Sequence, residues 1–152
     1  MNQLFRIYTD GSSIGNPGPG GWGAVIVQRN ERREMSGAFP WTDISEMELL
    51  AAVEALRSIP AGARIELYSD SELLIHGMRR FVFRWRDQGW RNRRGARLQH
   101  RDLWTQLMRL NGELHIEWRW LRGHDGHPLQ TRADALAYRA AKTLISSQRL
   151  AA

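Results

Sequence analysis

Apolar residues open the chain in a short run, Leu4–Thr9, that predicts a first strand. Trp22–Gln28 and Arg33–Phe39 predict two more, the last closed by Pro40. Short connections make these three an antiparallel meander, and the glycine-rich Gly15-Asn16-Pro17-Gly18-Pro19-Gly20-Gly21 is expected as turn or loop. The period then changes. Leu49, Ala52, Val53 and Leu56 fall at i, i+3, i+4 and i+7, which predicts a helix over Ser45–Ile59, ended by Pro60-Ala61-Gly62. Ile65–Ser69 reads as a fourth strand. A right-handed crossover places it parallel to the first. Glu72–Met78 and Arg80–Gln88 predict short helices, Gly89–Gln99 a basic loop, and Asp102–Leu110 a helix ending near Asn111-Gly112. Leu114–Leu121 alternates Ile116, Trp118 and Trp120 against Glu117 and Arg119, as a fifth strand should. After a loop over Arg122–Gln130, Thr131–Ile145 gathers Ala133, Leu136, Ala137, Ala140 and Leu144 on one helical face.

This order implies an α/β fold. Its five-stranded mixed sheet has strands 1–3 antiparallel and strands 4–5 added in parallel, with helices on both faces. The 152 residues show no linker or repeat, so one domain spanning 1–152 is expected. In such sheets, sites form beyond the carboxyl ends of the strands.

Two of those ends carry an acid. Tyr8-Thr9-Asp10-Gly11-Ser12 closes the first strand and Tyr68-Ser69-Asp70-Ser71 the fourth. Side chains alternate faces along a strand, so Asp10 is in step with Arg6 and Tyr8, and Asp70 with Glu66 and Tyr68. With the strands adjacent and parallel, both carboxylates leave the same end on the same side. Glu48 is expected in the first turn of the first long helix and Asp134 in the first turn of the last. Ser45-x-x-Glu48 and Thr131-x-x-Asp134 each have the form of a capping box, Asp70 could cap the helix after it, and Asp10 could close an Asx-turn. Small residues follow both helix acids: Ala51, Ala52 and Ala55 after Glu48, Ala137 and Ala141 after Asp134. These let the helices approach the sheet, so that acids from helix starts meet acids from strand ends. Four carboxylates together demand cations. Oxygen ligands select Mg2+ or Mn2+ over zinc. Two such ions about 3.5–4 Å apart stabilise the attacking and leaving oxygens of a phosphoryl displacement. His124, in Gly123-His124-Asp125-Gly126-His127-Pro128, is a candidate proton shuttle, with a turn histidine as the plain reading; His127, beside proline, reads as structural.

Charge adds a partner. The net charge is +6, carried almost wholly by arginine, with Lys142 the single lysine. From Arg79 to Arg101 nine arginines stand against one acid, Asp87, interleaved with Phe81, Phe83, Trp85 and Trp90. Arginine usage can reflect composition alone and Phe81 and Trp85 have core spacing, yet a basic patch beside an acidic cluster suits phosphate backbones. The absence of cysteine excludes disulfides, thiolate metal sites and a cysteine nucleophile. No apolar run reaches membrane-spanning length and the first residues lack a signal-peptide core, so a cytoplasmic protein without membrane association is expected. A monomer is expected separately.

Taken together, Tyr8-Thr9-Asp10-Gly11-Ser12, Gly15-Asn16-Pro17-Gly18, Met47-Glu48-Leu49, Ser69-Asp70-Ser71, Gly89-Trp90, Asp102-Leu103-Trp104, Gly123-His124-Asp125-Gly126-His127-Pro128 and Ala133-Asp134 resemble ribonuclease H type 1, in its stand-alone bacterial form. The resemblance runs from about residue 4 to 145. It implies the ribonuclease H-like fold and metal-dependent endonucleolytic hydrolysis of the RNA strand of an RNA–DNA hybrid, leaving 5′-phosphate and 3′-hydroxyl ends. Asp10, Glu48, Asp70 and Asp134 match the metal ligands and His124 the mobile histidine. Gly11 and Asn16 match contacts to the RNA strand. The segment 79–101 resembles the basic protrusion that grips DNA, with Arg84, Trp85, Trp90 and Arg91 as substrate-binding residues. The chain departs from the family at Glu72, where a glutamine is usual, at Asp43-Ile44-Ser45-Glu46, where Thr-Asn-Asn-Arg is usual, at Arg84, where asparagine is usual, and at Gln130-Thr131. Glu72 cannot donate a hydrogen bond when ionised, and Arg84 can supply a phosphate contact. A resolvase-like nuclease of the same fold and a non-catalytic hybrid-binding module are the alternatives.

Overall fold

A computed structural model describes residues 3–123 and 126–151 of the chain. Five strands, β1 (Leu4–Ser13), β2 (Gly18–Gln28), β3 (Glu31–Thr42), β4 (Arg64–Ser69) and β5 (His115–Trp120), form one sheet in the order β3-β2-β1-β4-β5. β1, β2 and β3 pair antiparallel, and β4 and β5 add in parallel. Helix α1 (Ile44–Arg57) crosses from β3 to β4, α4 (Arg101–Glu113) precedes β5, and α5 (Pro128–Ala151) closes the chain.

Each helix is placed by the face it buries. Phe5 and Ile7 of β1 point into the main core with Ala24, Ile26, Ile65 and Leu67, beneath Leu49, Ala52, Val53 and Leu56 of α1. α4 packs outside α1 and contributes Trp104, Leu107 and Leu110. Tyr8, one residue out of phase, points the other way and packs with Val25, Ala133 and Leu136 beneath α5.

Several elements run longer than their patterns predict. β1 continues through Asp10 to Ser13, and β2 begins at Gly18, so only the first part of the glycine-rich stretch is a loop. The reason is close packing. A Cβ on Gly21 would run into the Ala137 carbonyl oxygen, and one on Gly23 would lie 2.5 Å from the Ala133 carbonyl oxygen. These glycines let the α5 backbone rest directly on the sheet. β3 passes through Pro40, which an edge strand tolerates because no neighbour needs its missing N–H. The two short helices read from the sequence form one continuous helical run. α2 (Glu72–His76) passes through a π-helical turn, Gly77–Phe81, into α3 (Val82–Asp87). The widened turn sits where Gly77 abuts the Trp104 indole; a Cβ there would collide with it. Residues 89–99 are irregular, as expected, save for a bridge between Arg91 and Arg97. Among the described residues, no helix is long and apolar enough to cross a membrane.

Candidate active site

Strand phase settles where the acids go. Tyr8 and Tyr68 are register partners across the parallel β1–β4 pair, and their rings stack with centroids 4.8 Å apart. Arg6 and Glu66, two residues earlier, form an ion pair at 3.0 Å. Asp10 and Asp70, two residues beyond the tyrosines, therefore leave the same end of the sheet on the same side. Glu48 approaches from α1. Gly11 permits this, because a Cβ there would lie 2.5 Å from the Glu48 amide nitrogen. Carboxylate oxygens of Asp10, Glu48 and Asp70 all lie within 4.8 Å of one another. Asp134 stands farther out. It is exposed, outside that close set, but lines a cavity of about 190 Å³ with Asp10, Asp70, His127 and Gln130.

Capping does not account for these acids. The cap of α1 is Asp43, which accepts from the Glu46 N–H at 2.7 Å, so Glu48 lies beyond the first turn. The cap of α2 is Ser71, not Asp70: its hydroxyl accepts from the Leu74 N–H at 3.1 Å. α5 starts at Pro128, three residues earlier than its pattern predicts, and Asp134 belongs to its second turn. His127 is the structural residue expected. Its Nδ1 accepts from the Leu129 N–H at 3.2 Å, its carbonyl accepts from Thr131, and its ring stacks on Tyr8.

Electrostatics mark the cluster as short of positive charge. Asp10 is only 6% exposed. Burial, first, and the neighbouring Asp70 push its carboxyl from 3.8 up to about 9; Asp134 and Glu48 add to the rise and the Gly11 N–H opposes it. That N–H donates to Asp10 Oδ1 at 2.9 Å. Glu48 is raised to about 7, chiefly by burial, with Asp70 adding and a hydrogen bond from Ser71 opposing. Carboxyls that hold protons at neutral pH are carboxyls that a divalent cation would relieve. The donor set, all oxygen with no sulfur, fits a hard cation.

The remaining candidates divide. Asn16 is exposed and tied to the start of α1, its Oδ1 accepting from the Ile44 N–H at 3.2 Å. Arg84 and Arg91 are exposed on the basic segment. Trp85 packs edge-on against Trp104 at 5.0 Å, and Trp90 is 9% exposed in the core, so both tryptophans anchor the segment from beneath. Trp104→Ala should accordingly cost about 3–5 kcal/mol, read as a lowered denaturation midpoint. His124 lies outside the described residues. Sequence reasoning missed four supporting groups. Trp120 Nε1 donates to the Asp70 carbonyl at 3.2 Å. Arg132 grips Glu34 of β3 through two bonds of 2.8 and 2.9 Å, fastening α5 near Asp134. His100 lies 3.3 Å from Asp43 and 3.4 Å from Glu46, so the acids that depart from the family pattern at α1 have a partner within the chain. Gln130 donates from Nε2 to the Thr9 carbonyl at 2.9 Å. Gln130 alone had a visible signal: it stands four residues before Asp134, on the same helical face.

The family model for RNase H matches residues 2–142. The chain belongs to the RNase H family. It is 43% identical over 135 residues to "Ribonuclease H" of Hahella chejuensis, covering 89% of this chain and 91% of that one. It is 40% identical over 137 residues to "Ribonuclease HI" of Caulobacter vibrioides, covering 90% and 92%. Among solved structures, LC9-RNase H1, described as a type 1 RNase H with the type 2 active-site motif, superposes with a TM-score of 0.84 at 30% identity, over 94% of this chain and 74% of that one. LC11-RNase H1, solved in complex with an RNA/DNA hybrid, shares the fold at a TM-score of 0.72 and 21% identity, over 93% of this chain and 99% of that one.

Proposed function

We propose that this chain is a divalent-metal-dependent endonuclease that hydrolyses the RNA strand of RNA–DNA hybrids, leaving 5′-phosphate and 3′-hydroxyl ends. The observation that carries it is the set of carboxyls on β1, on α1 and just beyond β4, Asp10 buried and Glu48 and Asp70 half-buried, within 4.8 Å of one another, in a chain of the RNase H family. Asp10, Glu48, Asp70 and Asp134 would hold the cation, with Mg2+ as the working ion and Mn2+ as its substitute. When bound, the ions supply positive charge to the attacking and leaving oxygens of the displacement.

The chain's own residues do the rest. Asp10 and Glu48 give up their protons to the bulk as the charge they lack arrives. The Gly11 backbone and Asn16 face the RNA strand, whose 2′-hydroxyls are open in the shallow minor groove. His124 moves a proton at the product side. Arg84 and Arg91 bind DNA phosphates without reading sequence. Arg84→Ala and Arg91→Ala should each raise KM with little change in kcat. Each should also reduce the slope of log KM against log salt by about 1, measured on one hybrid across a salt series.

The deciding assay offers labelled RNA–DNA hybrid, double-stranded RNA and branched DNA, each with and without magnesium. Magnesium-dependent cuts within the RNA of the hybrid alone are expected. Preferred cutting of branched DNA, or binding without cutting, would overturn the proposal. The same reading takes the protein to be a cytoplasmic monomer of one domain, 1–152; sedimentation as a dimer would contradict the monomer.

A further inference from the structure

Trp120 is the third apolar residue on one face of β5, and the core does not cover it. Ile116 and Trp118 precede it on that face and belong to the main core; Trp118 is 7% exposed, its Nε1 donating to Asn111 Oδ1 at 2.9 Å. Trp120 is 40% exposed. Its ring is nevertheless held, because Nε1 donates to the Asp70 carbonyl at 3.2 Å. The backbone one residue on is tied to the same strand end, the Leu121 N–H donating to the Ser69 carbonyl at 2.9 Å. A large flat side chain is thus fixed by its polar edge beside an acid of the cluster, with apolar surface left open to solvent. A tryptophan divided in this way is suited to binding.

The cleft around it supplies a charge. Trp118, Trp120, Arg79 and Arg119 line a cavity of about 660 Å³. Arg119 is committed to Glu66 and Glu117. Arg79 is exposed, and among the described residues it has no ion-pair partner. It is also the first arginine of the basic segment, so the cleft touches both that segment and the residue bonded to Asp70. An exposed ring beside a free guanidinium is a pairing that holds an unpaired nucleotide: the ring takes the face of the base and the arginine its phosphate. A base inside a duplex has no free face, so the occupant is single-stranded.

We propose that Trp120 and Arg79 form a subsite for an unpaired ribonucleotide, where single-stranded RNA leaves the hybrid. The strand is the RNA because the indole is bonded to Asp70, whose carboxyl belongs to the cluster at which the RNA is cut. The inference rests on the hybrid-cutting reading above and extends it to a substrate class, hybrids that carry a single-stranded RNA tail.

The test measures affinity by fluorescence anisotropy without divalent cation, so that nothing is cut. The probes are one labelled hybrid as a blunt duplex, with a short RNA tail at its 5′ or its 3′ end, and with the same tails on the DNA strand. An RNA tail at one end should tighten binding of the wild type by about tenfold over the blunt duplex. The gain is taken within each variant, so that general losses of affinity cancel, and circular dichroism establishes folding. Trp120→Gln keeps a donor for the Asp70 carbonyl and removes the ring; it should lose the gain. Trp120→Phe keeps a ring and removes the donor; it should retain a gain of about threefold or more. Arg79→Ala should reduce the gain and flatten its salt dependence. A wild type that gains nothing from either RNA tail would overturn the proposal, as would an equal gain from DNA tails or an undiminished gain in the Gln variant. A Phe variant that loses as much as the Gln variant would reduce Trp120 to a support for Asp70. Should the Gln variant fail to fold, an undiminished gain in Arg79→Ala still overturns the subsite. Absence of magnesium-dependent cuts in the blunt hybrid would remove the activity reading instead; the tail gains are read without cutting and fail separately.

Discussion

Asp10→Asn should lower hybrid hydrolysis by at least about 10³-fold while making the metal-free protein more stable. Both effects have one cause. Asp10 is buried against Asp70, and its carboxyl is raised from 3.8 to about 9. The folded chain therefore binds this proton more tightly than the unfolded chain does. Stability from the protonated form is complete below about pH 4 and declines as pH rises toward about 9. Glu48, raised to about 7, adds to the decline over the lower part of that range. Asparagine keeps the shape and carries no charge. Near pH 8 it should stabilise the metal-free protein by about 2 kcal/mol, or about 5 °C in melting temperature. Melting curves from pH 5 to 9 check the sign: the wild type should lose stability on going alkaline, the variant less. Magnesium should restore the wild type and do much less for the variant. Turnover within fivefold of wild type, or a variant less stable throughout, would show that the carboxylate is not the strained centre described.

Gly23→Ala should cost about 3 kcal/mol and lower the melting temperature by about 6–12 °C. One methyl group suffices because the added Cβ would sit 2.5 Å from the Ala133 carbonyl oxygen, 2.8 Å from the Leu136 Cβ and 2.9 Å from the Ala137 nitrogen. Two of these are backbone atoms of α5, which cannot rotate aside. The helix must lift, and Asp134 lies one residue beyond Ala133. A shift of about 1 Å in a group that positions chemistry can cost about 10²-fold in rate. The variant should therefore lose kcat more steeply than its residual folded fraction explains. Equal activity per folded molecule would mean that the placement of Asp134 tolerates a lifted helix.

The acids were legible in the sequence because strand and helix periods are rigid. Tyr8 and Tyr68 each stand two residues before an aspartate, so the parallel pairing of their strands fixed the side on which Asp10 and Asp70 emerge. The α1 core stripe was legible for the same reason: Leu49, Ala52, Val53 and Leu56 are all fully buried. Element ends were not. The apparent capping boxes at Ser45 and Thr131 suggested helix starts that Asp43 and Pro128 pre-empt, because a cap is decided by which side chain reaches a free N–H. Gly18–Gly21 read as loop because glycine signals turns locally, whereas here its value is the absence of a Cβ beneath α5.

Local periodicity thus determined the strand phases, the helix faces and the identity of the acids, all properties of residues within a few positions of one another. Tertiary packing alone decided how near the acids come, that Asp134 stays at the cavity edge, that His100 partners Asp43 and Glu46, and that Gln130 spans α5 and β1. Those contacts join residues far apart in the chain, and their distances depend on how closely one backbone can lie on another.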